Sequence, residues 1–145
     1  MPMTPVVPAH VRLVGLVAFL VYLAGVADYL LRRLDVAMWT DRIAPDWLAY
    51  AAAMPQWLDI AWTLAVWLGL LGAILLLRRE RTAVLPMAGA FIAAVVTVVG
   101  AYATQPPPGG LDTAALTIWA SAGLVVFTAL VWVYTRSAKT AGWLD

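Results

Sequence analysis

The segment VRLVGLVAFLVYLAGVADYLLRR, residues 11–33, decides the fold. From Val11 to Leu31 only Arg12 and Asp28 interrupt an apolar run. Coiled as an α-helix at ~1.5 Å per residue, a run of this length spans roughly 31 Å, about the hydrocarbon thickness of a bilayer. A secretory signal peptide has a shorter apolar stretch, about 7–15 residues, ending in small residues. This run is longer and leads into Asp28-Tyr29-Leu30-Leu31-Arg32-Arg33, so it reads as a retained membrane helix.

Composition agrees. Of 145 residues, 64% are apolar and 12% charged, with a mean hydropathy of +0.89. A soluble domain has about 45–50% apolar residues, so a water-facing fold of this size lacks the polar surface to enclose the excess. A net charge of +1 gives no electrostatic case for nucleic acid. The absence of cysteine excludes disulfide chemistry, thiolate metal sites and cysteine nucleophiles. A single histidine, His10, cannot form a two-histidine haem site within one chain.

Three further runs follow at 57–77, 82–103 and 111–134. The Arg78-Arg79-Glu80-Arg81 link is so short that the second and third runs must form an antiparallel hairpin. Pro86 falls in the first turn of its helix, where proline is tolerated. Gln105-Pro106-Pro107-Pro108-Gly109-Gly110 cannot continue a helix and permits a sharp reversal. In the connection 34–55, Pro45 suits a first-turn position, Asp46 suits the positive helix end and Pro55 marks a stop. That predicts a helix too short to cross a bilayer, either lying at the membrane surface with Trp47 and Tyr50 at the headgroup level or forming a soluble cap on the bundle. The expected fold class is all-α, an integral membrane four-helix bundle. Its helices lie at about 11–33, 56–78, 82–104 and 111–135, with a short interfacial helix at about 45–54. Residues 1–145 form a single transmembrane domain with a flexible N-terminal tail (1–10) and a C-terminal tail (136–145).

Lysine and arginine counts near the helix ends set the expected orientation. Arg12, Arg78, Arg79, Arg81, Arg136 and Lys139 share one side, and Arg32, Arg33 and Arg42 the other. The excess favours both termini in the cytoplasm.

Asp28 and Asp59 are carboxylates inside or just within apolar runs. Each has two readings. Asp28 is either a proton- or cation-coupling group or an interfacial acid that pairs with Arg32 one turn on. Its distance from the helix centre favours the pair. Asp59 either shares an outward-facing polar pocket with Asp28, Arg32, Thr63 and Trp62, or complements the N-terminal end of its own helix. The first and second helices run out and back, so the two aspartates are expected near one face, approaching each other or sharing Arg32. Thr113, Thr117, Ser121 and Thr128 form a hydroxyl stripe on the last helix, expected to bond a neighbour or their own backbone. Gly69-x-x-x-Ala73 and Gly89-x-x-x-Ala93 are spacings that let helices approach closely. Trp39, Trp57, Trp132 and Trp143 fall near the interfaces as an aromatic belt, while Trp62, Trp67 and Trp119 lie deeper along their helices. No catalytic constellation, phosphate loop, metal spacing or cofactor site is read, so no enzyme is expected.

The chain also resembles a group of short four-helix proteobacterial membrane proteins often labelled "sugar transporter". The matching residues are Gly25-x-x-Asp28-Tyr29, Pro45-x-x-x-Ala49-Tyr50, Pro55-x-Trp57, Trp62-x-x-x-x-Trp67-x-Gly69-x-x-Gly72 and the leucine-rich run ending at Arg78-Arg79. The likeness covers roughly residues 13–135 and implies a four-helix inner-membrane protein. The chain departs from that pattern at 105–110, where other members carry polar residues. Three functions remain in view. The first is a non-enzymatic accessory or interaction subunit whose partners are the lipid bilayer and a larger complex or second copies of the chain. The second is a small oligomeric transporter using Asp28 and Asp59. The third is a binder of a hydrophobic ligand or pigment.

Overall fold

A computed structural model describes residues 7–104 and 111–145, with side chains described outside 111–118. Among the described residues every regular element is helical. The elements are α1 (Ala9–Arg33), α2 (Ala37–Thr40), α3 (Pro45–Ala53), α4 (Gln56–Leu77), a 3₁₀ turn (Arg81–Ala83), α5 (Val84–Thr104) and α6 (Leu111–Thr140). Four of these helices are long and apolar enough to cross a membrane. The Gln105–Gly110 link lies outside the described residues.

Helix α4 is the centre of the arrangement. It packs along α1 on one side and α5 on the other, while α6 rests mainly on α5 and meets α1 only in part. Small residues set this order. Gly69 receives the ring of Tyr22 from α1, and a Cβ there would overlap the ring carbons. Gly72 receives Met87 from α5, whose Cγ would sit 2.8 Å from an added Cβ. The Gly69-x-x-x-Ala73 spacing is therefore packing within the bundle. Ala18, Tyr22, Ala73, Met87 and Val131 form the middle of the core, and Ala65, Ala93 and Ala94 join α4 to α5 beyond it. Around this narrow core the outward faces stay apolar: Leu13, Leu20, Leu85, Val99 and Leu130 are each more than half exposed. Trp67 and Trp119 also point outward, whereas Trp132 stacks on Phe91 with Arg136 over its ring.

The end holding the 3₁₀ turn is closed by backbone geometry. Helix α4 finishes with Arg79 in the left-handed region (φ 60°), and Glu80 N–H donates back to the Leu75 carbonyl. Helix α6 finishes the same way at Gly142 (φ 72°), with Trp143 N–H donating to Ala138. Residues 143–145 then turn onto the α4–α5 link. Asp145 N–H donates to the Arg79 carbonyl (2.6 Å), Arg81 N–H to the Asp145 carbonyl (2.9 Å) and Arg81 Nε to the Leu144 carbonyl (2.9 Å). Leu144 is fully buried against Val11, Leu76, Ala83 and Ala138.

This differs from the expected tails. Helix α6 continues five residues past 135, because Arg136 and Lys139 suit the negative end of a helix rather than stopping it. Residues 143–145 are docked, and Ala9 and His10 belong to α1, with His10 edge-on to Tyr134 and Trp143. The short helix expected at about 45–54 appears as α3, one residue shorter than expected, and α2 is an additional turn.

Two substitutions test this packing by thermal unfolding in detergent. Gly69→Ala is expected to destabilise by about 1–3 kcal/mol through overpacking against Tyr22, with much of the loss recovered when Tyr22→Leu is added. Leu144→Ala is expected to cost about 2–5 kcal/mol. An unchanged midpoint would show that residues 143–145 do not hold α6 to the hairpin.

Candidate functional site

The opposite end of the bundle gathers the charged residues singled out in the sequence. Asp28 and Arg32, one helical turn apart on α1, form an ion pair and hydrogen bond through Asp28 Oδ2 and Arg32 Nη2. The chain then reverses. Asp35 takes a left-handed conformation (φ 49°), and Val36 N–H bonds back to the Leu31 carbonyl. Aspartate tolerates this region better than most residues. The reversal carries α2 back alongside α1, and Trp39 Nε1 donates to Asp28 Oδ1 at 3.0 Å. Both oxygens of Asp28 are thus engaged, one by a guanidinium and one by an indole. Trp39, expected in an aromatic belt, fastens α2 to α1.

Asp59 lies in the first turn of α4, as expected, and its partner is Arg33 rather than Arg32. Adjacent helix positions point about 100° apart, so Arg32 faces along α1 to Asp28 while Arg33 reaches across to α4. The two aspartates therefore do not share Arg32. Arg33 Nη1 stands 3.4 Å from Asp59 Oδ2, with the side chains 67% and 43% exposed. A pair this long and this exposed contributes about 0–1 kcal/mol. Thr63 Oγ1 donates to the Asp59 backbone carbonyl (2.7 Å), not to its carboxylate.

Two cavities flank the Arg33–Asp59 pair beneath α3. One, about 600 Å³, runs past Gln56 and Thr63 onto Ile60 and Leu64. The other, about 500 Å³, reaches inward to Leu58, Trp62 and Thr97. Tyr29, Ala51, Ala52 and Met54 border both. Helix α3 forms their roof, and none of its residues is buried. Partial burial raises the Tyr50 hydroxyl above its ordinary value, with Tyr102 of α5 adding to the effect.

Deeper in the bundle the polar groups turn inward on themselves. Thr97 donates to Ala93, Thr128 to Leu124 and Val125, and Thr135 to Val131, all on their own helices. Ser121 approaches the Tyr102 hydroxyl at 3.5 Å, and Thr113 and Thr117 lie outside the described side chains. A small central cavity of about 40 Å³ touches Tyr22, Trp62 and Thr128. Tyr22 Oη and Trp62 Nε1 are buried donors with no protein acceptor. Among the described residues no three histidine, aspartate or glutamate side chains converge on a point where a metal would sit.

Of the residues picked from the sequence, Asp28 and Arg32 meet, Asp59 and Thr63 share a cavity wall, and Trp62 closes the deeper chamber. Arg33, Tyr29 and Trp39 are the additions. The consecutive arginines were a signal for Arg33. For Trp39 no local spacing exists, since the contact depends on the reversal at Asp35.

The two carboxylates should respond differently to neutralisation. Asp28→Asn is expected to destabilise by about 1–3 kcal/mol, because a charged hydrogen-bonded pair is lost. Asp59→Asn is expected to cost less than about 1 kcal/mol. Urea or thermal unfolding of the two variants in one detergent checks the difference, and equal losses would contradict it. Searched against protein-family models, curated proteins and solved structures, the chain matches none of them.

Proposed function

We propose that the protein is an integral membrane protein of a bacterial inner membrane, without enzymatic activity, that serves as an accessory or interaction subunit of a membrane complex. The observation that carries this reading is the contrast between surface and interior. Large apolar side chains are exposed on all four long helices, as lipid- and partner-facing surfaces require. The described interior threonines bond to their own helices, so Trp62 and Thr97, at the inner wall of the deeper Asp59 cavity, are not continued into a hydrogen-bonded polar path. A transporter needs such a path near the bilayer midplane.

The charge distribution supports an orientation with both termini in the cytoplasm. The end holding the α4–α5 link carries six basic and two acidic residues, and the other end three basic and six acidic. Arg32 and Arg33 face aspartates, which leaves Arg42 to act as an orienting cation on that side.

The chain has no cysteine, so single introduced cysteines report topology directly. Asp41→Cys is expected to react with a membrane-impermeant maleimide in intact spheroplasts, and Lys139→Cys only after lysis. The reverse pattern would invert the orientation. In a mild detergent the protein is expected to co-purify with a larger assembly, and a lone monomer with no partner bands would count against the subunit role. In liposomes it is expected to support no proton-linked flux. Flux that Asp28→Asn and Asp59→Asn abolish would establish the transporter instead.

A further inference from the structure

We propose that the cavity beside Ile60 and Leu64 binds the headgroup of a zwitterionic phospholipid with a primary ammonium, of the phosphatidylethanolamine type. In this arrangement Arg33 meets the phosphate and Asp59 meets the ammonium. The proposal rests on the reading that the chain spans a bilayer. The pair lies at the last residue of α1 and the first turn of α4, where two spans end together. That is the headgroup level of a membrane in which these helices cross.

Three features select this ligand. The first is the loose pair. A guanidinium and a carboxylate stand 3.4 Å apart, both substantially exposed and both bordering a cavity of about 600 Å³. A zwitterion replaces each partner with a matching charge. An anion would leave Asp59 uncompensated beside it, and a cation would do the same to Arg33. The neighbouring Asp28 offers no such site, because Arg32 and Trp39 already hold both of its oxygens.

The second feature is the chemistry of the ammonium end. A carboxylate rewards N–H donors, which a quaternary ammonium lacks. Recognition of quaternary ammonium uses cages of aromatic rings, and Tyr29 is the aromatic residue bordering this cavity. The third feature is the direction in which the cavity opens. Its floor continues onto Ile60 and Leu64, 52% and 48% exposed on the outer face of α4. Acyl chains descending from a headgroup at Arg33 would lie along these side chains. The roof is made of Ala51 and Ala52, whose small side chains leave the space open.

The test is native mass spectrometry of the delipidated full chain in detergent, with dioleoyl phosphatidylethanolamine, phosphatidylglycerol and phosphatidylcholine supplied in equal amounts. The unmodified protein is expected to retain phosphatidylethanolamine about tenfold over the other two, as a charge-assisted hydrogen bond implies. Asp59→Asn should bring the phosphatidylethanolamine to phosphatidylglycerol ratio to about one, and Arg33→Gln should weaken all three. Glu80→Gln, at the far end, should leave the ratio unchanged. Retention of the preference by Asp59→Asn would overturn the proposal. If that variant fails to fold, the unmodified protein still decides, because equal retention of phosphatidylcholine would overturn it as well. Displacement by millimolar soluble phosphoethanolamine would overturn the lipid assignment in favour of a water-soluble zwitterion. Resistance of the protein to alkaline carbonate extraction tests membrane insertion separately, so failure of the headgroup preference is not confused with failure of that reading.

Discussion

The close approach of α4 to both of its neighbours is the constraint on which the remaining structure depends. Apolar side chains gain little from leaving lipid for one another, so helices in a bilayer associate through tight packing and interhelical hydrogen bonds. In the four helices long and apolar enough to span a membrane, hydrogen bonds between helices are sparse among the described residues, and packing carries the association. Gly69 and Gly72 lie almost one turn apart and open two sockets on different sides of α4, filled by Tyr22 and Met87. Ala61, Ala65 and Ala73 extend these thin faces. The same economy of side-chain volume explains why the outward faces hold the leucines, valines and isoleucines. Among the described residues, helix α6 meets no glycine socket on α1. It is held instead by α5 and by the fully buried Leu144 at its far end.

That distribution makes the two ends of the molecule unlike. One end is closed by two left-handed helix terminations, a run of backbone hydrogen bonds between residues 79–81 and 144–145, and a buried leucine. The other is covered by α3, which has no buried residue and stands over two cavities of about 500 and 600 Å³. Local opening is cheapest where buried apolar contacts are few. By this measure the α3 end opens more readily than the end with the docked residues 143–145, and any rearrangement on binding is expected there.

Much of the fold was legible in the sequence, because charges and prolines bracket the apolar runs. Arg33, Pro55, Arg78 and the 105–110 segment mark helix ends to within a few residues. The misreadings have physical causes. The last helix was expected to end near 135, yet cations favour a helix C-terminus, and α6 runs through Arg136 and Lys139 to Thr140. Helix α2 is four residues long and has no periodicity to detect. The Asp28–Arg32 pair could be read from its i,i+4 spacing. The Asp59–Arg33 pair could not, because its choice of arginine depends on which flank of α1 faces α4. Trp39 illustrates the same limit: its contact with Asp28 follows from a left-handed aspartate four residues earlier.

These details divide the labour between two carboxylates that resemble each other in sequence. Asp28 accepts from a guanidinium and an indole that come from two elements, and its loss would release α2 as well as the end of α1. Asp59 accepts from one exposed guanidinium across 3.4 Å and keeps an open cavity on either side. A doubly held acid has little to gain from a new partner, because each new contact displaces an existing one. A singly and loosely held acid gains almost the whole of any new interaction. Within this charged end, then, the proposed headgroup recognition falls to Asp59 and Arg33, while Asp28 with Arg32 and Trp39 ties α2 to the end of α1.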